Sequence, residues 1–334
     1  MSHYDLIVIG SGPAGKSAAI QAAKLHRKVL VVERNARIGG VSVHTGTIPS
    51  KTLRETALNL SGWRERSFYG RSYRAQEQIQ SQDLLERLHK TLEYEVDVLE
   101  HQFMRNRVEI MQGEARFLAD DKIEVLDASG ETCELTSDGF VICTGTRPFR
   151  PDYIPFNGKT IFDSDEVLQL PNIPRSLIVI GAGVIGVEYA TILAALDVRV
   201  TLVEPRDSFL DFIDKTLIAE FTQQIREMGV DLRLGSKVSL VEDKNDFVEI
   251  SMENGRHVRA EMLLFAAGRM GATDKLNLKA VGLETDHRGR LKVDHETYQT
   301  AVPHIYAAGD VIGFPSLAST SLQQGRVAAC HALD

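Results

Sequence analysis

The chain has 334 residues, a net charge of −8 and an isoelectric point near 5.7, with 43% hydrophobic and 25% charged residues. That length predicts two or three domains rather than one, and the acidic balance argues against nucleic acid or an anionic membrane as a partner. No apolar run reaches the roughly 18 residues of a membrane span, and a strand starting at Tyr4 leaves no room for a signal peptide.

Residues 4–10 read as a buried parallel strand, 13–25 as an Ala-rich helix and 28–33 as a second strand that closes on an acid. Residues 82–105 carry Leu84, Leu85, Leu88, Leu92, Val96, Leu99 and Phe103 at helical spacing without a proline, so a long core-packed helix is expected, with a partner-binding helix as the alternative. Residues 108–125 read as strands around a turn at Ala119-Asp120-Asp121, and 139–144 as an apolar strand ending in Thr144-Gly145. The proline-punctuated stretch 148–155 marks a domain boundary. The strand–helix–strand unit then repeats over 176–180, 184–196 and 198–204, so the chain reads as a duplicated domain type. Alternating strands follow over 230–252, with a turn near Asp243-Lys244-Asn245. Residues 262–268, 292–294 and 305–309 read as further strands, and a last helix starts near Ser319.

Each repeated unit carries a dinucleotide fingerprint, Gly10-Ser11-Gly12-Pro13-Ala14-Gly15 and Gly181-Ala182-Gly183-Val184-Ile185-Gly186. The first glycine permits the tight turn, the second lets a pyrophosphate approach the backbone, and the third seats the helix against the strand. The helix N-terminus then faces the phosphate charge. Glu33 and Glu204 end the second strand of each unit, placed to accept from a ribose 2′-hydroxyl. Glu204 favours NAD(H) because it repels a 2′-phosphate. Arg206 either attracts that phosphate or is a solvated turn residue. His44 either touches a ligand or packs. The three cysteines, Cys133, Cys143 and Cys330, are widely spaced and match no metal or redox pattern. No metal is expected, and a reducing cytoplasm is the expected setting.

These motifs, together with the segment 39–51, Thr144-Gly145-Thr146-Arg147-Pro148, Glu188, Gly268-Arg269 and Ala308-Gly309-Asp310, resemble the flavoprotein pyridine nucleotide-disulfide reductase family along the whole chain. The resemblance implies an α/β fold of two Rossmann-like three-layer (ββα) domains. The FAD domain would be discontinuous, residues 1–150 and 270–334, with an NAD(P) domain inserted at 151–269. It implies FAD at the first fingerprint and NAD(H) or NADP(H) at the second. Asp310 would hold the flavin ribityl chain, and Lys51, paired with Glu188, would sit near flavin N5 as the catalytic pair. Arg34, Gly40, Ser42, Gly46, Thr47, Ala115, Thr144, Gly145, Arg147, Gly268 and Arg269 complete the cofactor-binding residues the resemblance implies.

One departure decides the expected chemistry. Ser42 and Thr47 stand where that family carries its two redox cysteines. A hydroxyl forms neither a disulfide nor a thiolate, so dithiol substrates are not expected. The segment 44–51, His-Thr-Gly-Thr-Ile-Pro-Ser-Lys, is most similar to the soluble pyridine nucleotide transhydrogenases, although many of these keep a cysteine at the Ser42 position. That resemblance implies a Si-specific NAD(P)+ transhydrogenase passing hydride from NADPH to NAD+ through FAD, with nicotinamide nucleotides as its substrates. The alternatives are a flavin NAD(P)H dehydrogenase reducing a quinone, a dihydrolipoamide dehydrogenase-like protein, and a nucleotide-binding module without turnover. The resemblance also implies a C-terminal dimerisation domain, which is expected to be missing from a sequence running to Asp334. A homodimer or higher is therefore expected of the full-length parent and is doubtful for this chain.

Overall fold

The computed structural model describes residues 2–70, 72–76 and 78–334. The chain divides into two compact units. Met1–Thr47, Leu92–Arg147 and Arg269–Asp334 form the first; Ile48–Thr91 and Pro148–Gly268 form the second. The sequence division at 150 and 269 differs from this in the segment 48–91, which packs with the second unit. Ion pairs Arg66–Asp197 and Arg74–Asp197 and a hydrogen bond from Ser81 to the Pro171 carbonyl hold it there, partners too remote in sequence to be foreseen.

In the first unit the sheet orders Glu109–Gln112, Val29–Glu33, Ser2–Ile9, Thr132–Ile142 and Ile305–Ala307, all parallel. The first half of the long strand Thr132–Ile142 also pairs antiparallel with Lys122–Leu126, which in turn pairs with Glu114–Ala119. Period-two alternation splits Ser2–Ile9 between two cores. Ile7 and Ile9 face this antiparallel layer with Phe117, Ile123 and Phe140, whereas Val8 lies against the opposite layer at Gly15. That layer holds helices Pro13–Lys24 and Ala318–Leu333, which approach so closely that a Cβ on Gly325 would stand 2.0 Å from the Ala14 carbonyl oxygen.

The second unit repeats the plan. Asp231–Arg233, Arg199–Val203, Ser176–Ile180, Met262–Phe265 and Ile161–Asp163 form a parallel sheet in corresponding order. An antiparallel layer of Val238–Asp243, Val248–Met252 and His257–Ala260 shares a core with it through Ile178, Ile180, Val241, Ile250 and Leu263. Two parallel sheets, each with helices on one face and an antiparallel layer on the other, are the α/β fold expected.

The helix Ser81–Arg105 forms as its periodicity requires, burying Leu84, Leu88, Val96, Leu99 and Phe103. Among the described residues no helix is long and apolar enough to cross a membrane. The expected strand at 292–294 does not form. Leu291 makes only an isolated bridge to Thr285, and the Asp294 carboxylate instead accepts from the backbone N–H groups of Glu296 and Thr297, closing a turn that competes with strand pairing. Helices Thr47–Ser61 and Lys215–Glu227 were not anticipated; the second is capped by the Asp214 side chain accepting from the Thr216 N–H.

Candidate active site

The first fingerprint forms one wall of a cleft that lies within the first unit. Gly10, at φ 105°, makes the strand-to-helix turn, and a Cβ there would meet the Cys143 carbonyl oxygen at 2.4 Å. Gly15 lets the helix sit on Gly10, whose oxygen would be 1.8 Å from an added Cβ. Gly12 has neither reason to be glycine: its φ is −62°, and the nearest atom to an added Cβ is 3.9 Å away. The protein therefore leaves open the space at the N-terminus of Pro13–Lys24 that a pyrophosphate requires.

Glu33 is 4% exposed and fully engaged. Oε2 accepts from the Ser11 N–H at 3.0 Å and the Ser11 hydroxyl at 2.5 Å; Oε1 accepts from the Asn35 N–H at 2.9 Å and the Asn35 side-chain amide at 3.0 Å. Four donors fill a carboxylate's acceptor sites, so a ribose hydroxyl reaches Glu33 by displacing one of them.

Asp310 lines the same cleft. The carbonyl oxygen of the Gln324 side chain accepts from the Gly309 N–H at 2.9 Å and fixes the loop, with Gly309 at φ 84°. Burial pushes the Asp310 carboxyl above its ordinary range, partly offset by the Arg269 charge. Its carboxylate has no hydrogen-bond partner among the described residues, and the buried Thr144 hydroxyl, also on the cleft wall, has none either. Two unsatisfied polar groups at one cavity fit a polyhydroxylated ligand. The residues present thus fit FAD: an open phosphate cradle at one end and unpartnered acceptors for a polyol beside it.

Of the residues expected to bind the first cofactor, Gly10, Gly12, Pro13, Ala14, Glu33, Arg34, Gly40, Ser42, Thr47, Ala115, Thr144, Gly145, Gly309 and Asp310 line this cleft. Gly15, Gly46, Lys51, Arg147 and Arg269 do not. Arg147 is half-exposed and pairs with Asp274, while Arg269 donates to the Thr146 hydroxyl and carbonyl. His44 packs, its Nε2 lying 2.7 Å from the Ile38 carbonyl oxygen. Sequence reasoning missed Ser11, Asn35, Gln324 and the ion pair between Lys275 and Glu114, all at or beside the cleft. The link from Ser11 to Glu33 could have been read from the fingerprint; the others come from residues remote in sequence.

The second fingerprint repeats the geometry within the second unit. Gly181 has φ 102°, an added Cβ on Gly186 would stand 1.9 Å from the Gly181 oxygen, and Gly183 meets nothing within 4 Å. Val184 is exposed and Ile185 half-buried at the start of the helix Val184–Ala195. The Ala182 N–H donates to Glu204 Oε2 at 2.8 Å, the counterpart of Ser11 to Glu33. Burial opposes ionisation of Glu204, but hydrogen bonds from Arg206 and the Ala182 N–H outweigh it and hold the carboxyl below its usual range. Arg206 donates from Nε to Glu204 Oε1 at 2.7 Å. In the same unit Lys51, largely exposed, donates to Oε1 of the mostly buried Glu188. Gly268, at φ 132°, accepts through its carbonyl from the Phe149 N–H.

The chain is similar to known proteins. The chain is 47% identical over 333 residues to the soluble pyridine nucleotide transhydrogenase of Mycobacterium bovis (strain BCG / Pasteur 1173P2), covering 99% of this chain and 71% of that protein. It is 40% identical to the protein of the same name from Colwellia psychrerythraea, again over 99% of this chain and 71% of the relative. Among solved structures it is similar to LpdA from Mycobacterium tuberculosis (TM-score 0.90, 27% identity, covering 100% of this chain and 72% of that one). It is also similar to the HOCl-induced flavoprotein disulfide reductase RclA from Escherichia coli in its Cu(II) complex (TM-score 0.85, 26% identity, 98% and 70%). A family profile described as pyridine nucleotide-disulphide oxidoreductase matches residues 4–325. With that profile matching residues 4–325 and curated relatives 40–47% identical over 99% of its length, the chain belongs to the pyridine nucleotide-disulphide oxidoreductase family.

Proposed function

We propose that this protein is an FAD-dependent NAD(P)+ transhydrogenase of the Si-specific class, exchanging hydride between NADPH and NAD+. The observation that carries the reading is the pair Ser42 and Thr47 on the cleft wall, where the family resemblance puts thiols. With no dithiol there, the two dinucleotide cradles remain as the routes for electrons, and curated relatives named soluble pyridine nucleotide transhydrogenase support the same reading. FAD, when bound, supplies a two-electron carrier that accepts hydride from one nicotinamide and returns it to another.

The chain's own residues hold and orient. In this reading residues 1–150 and 270–334 bind FAD and 151–269 bind NAD(P). Gly12 and Gly183 admit the two pyrophosphates, supported by the space each leaves open. Asp310 and Thr144 take the polyol, supported by their lack of partners. Lys51, held by Glu188, gives the flavin a fixed positive charge. Catalysis then consists mainly of positioning. The three free cysteines suit a reducing cytoplasm.

Initial-rate kinetics test this reading. One nucleotide leaves before the next enters, so double-reciprocal plots against NADPH at several NAD+ concentrations are expected to be parallel. Intersecting lines, or turnover with a quinone and none with NAD+, would overturn it.

A further inference from the structure

Arg206 is held by two acids. Its Nε donates to Glu204 Oε1 at 2.7 Å, and one terminal nitrogen donates to Asp211 Oδ2 at 2.9 Å. Asp211 is itself fixed by the Ser208 hydroxyl. The two acids are not equivalent. Glu204 is almost wholly buried and anchored by the Ala182 N–H, whereas Asp211 is half-exposed. The backbone of Arg206 is pinned at both ends, its N–H to Glu204 and its carbonyl to the Gly235 N–H, so only the half-exposed guanidinium is free to move.

Resting on the reading above that the second cradle binds nicotinamide nucleotides, we propose that Asp211 is a positioning residue that sets the NAD/NADP preference by competing with the 2′-phosphate for Arg206. With NAD(H), Arg206 stays between the two acids and Glu204 faces the ribose. With NADP(H), the guanidinium leaves Asp211 and pairs with the phosphate, a bidentate geometry that arginine suits. Asp211 acts twice against the phosphorylated nucleotide, because it occupies the arginine and it adds a like charge nearby. The arrangement tolerates both nucleotides while making the second bind at the cost of an exposed ion pair.

The test is isothermal titration of the full chain with NAD+ and with NADP+, using wild type, Asp211→Asn, Asp211→Glu and Arg206→Ala. An exposed pair of this kind governs about a two- to five-fold change. Asp211→Asn is therefore expected to raise NADP+ affinity relative to NAD+ by about that factor, and Asp211→Glu to restore the wild-type ratio. Arg206→Ala is expected to lower the ratio about ten-fold, as loss of a charged hydrogen bond does. A structural role for Asp211 would move both affinities together. An unchanged ratio in Asp211→Asn, or a fall in it, would overturn the proposal while leaving the transhydrogenase reading intact. A wild-type chain that binds neither nucleotide would overturn both.

Discussion

Lys51 donates to Glu188 across 137 residues of sequence, joining the helix Thr47–Ser61 to the helix Val184–Ala195. The lysine is 61% exposed, so the pair adds little to stability, about 0–1 kcal/mol. In the proposed reading this ammonium, fixed by the mostly buried Glu188, has an electrostatic role rather than a stabilising one. Lys51→Ala is expected to slow hydride transfer on the order of 10²-fold with almost no change in melting temperature. Glu188→Gln, which leaves the lysine present but unfixed, is expected to cost less. Stopped-flow bleaching of the flavin band by NADPH, alongside thermal melts, checks both.

The glycines of each fingerprint separate folding from binding. Gly15→Ala drives a Cβ to 1.8 Å from a backbone oxygen and is expected to destabilise the fold, by about 3 kcal/mol or more. Gly12→Ala and Gly183→Ala meet nothing closer than 3.9 Å and are expected to fold with near wild-type melting temperatures. The first is expected to lose FAD, and the second to keep FAD and lose nucleotide. Melting curves and the flavin-to-protein absorbance ratio distinguish the three.

Asp310 gives a pH dependence with a definite sign. Its folded carboxyl lies above the ordinary value of 3.8 because burial disfavours the charge. Its contribution to stability is therefore fully present below 3.8 and lost as pH rises through the folded value. Flavin-free Asp310→Asn is expected to be more stable than flavin-free wild type at neutral pH, with the gap closing toward the acid range. The same variant is expected to bind FAD about ten- to a hundred-fold more weakly, having lost a charged acceptor. Denaturant melts across pH and a flavin-release assay measure the two effects.

Burial pushes the Cys143 thiol far above its ordinary range, and Cys133 is exposed. Treatment of the native protein with an alkylating agent is expected to modify Cys133, spare Cys143 and leave turnover unchanged. Peptide mass spectrometry with parallel rate measurements checks this.

The parts of the molecule legible in the sequence are those written locally. Glycine spacing, the acids at Glu33 and Glu204, and the helical period of residues 82–105 are each local in sequence, although Glu204 stands just past its strand Arg199–Val203. What was not legible is long-range. Gln324 reaches the loop of Asp310 from another helix, and nothing in its own neighbourhood marks it. The segment 48–91 joins the second unit through Asp197, whose left-handed backbone and two arginine partners are visible only in three dimensions. The expected strand at 292–294 failed because the Asp294 side chain offers the backbone a turn. Nor does the spacing of Arg206 and Asp211 announce that they pair.

The central claim is that electrons both enter and leave through nicotinamides, without a thiol. An anaerobic absorbance titration of the flavin-loaded protein with NADPH, followed by NAD+, tests it most directly. The flavin band is predicted to bleach with NADPH and to recover with NAD+. A band that bleaches and recovers only with a quinone or oxygen, or that never bleaches, would contradict the account.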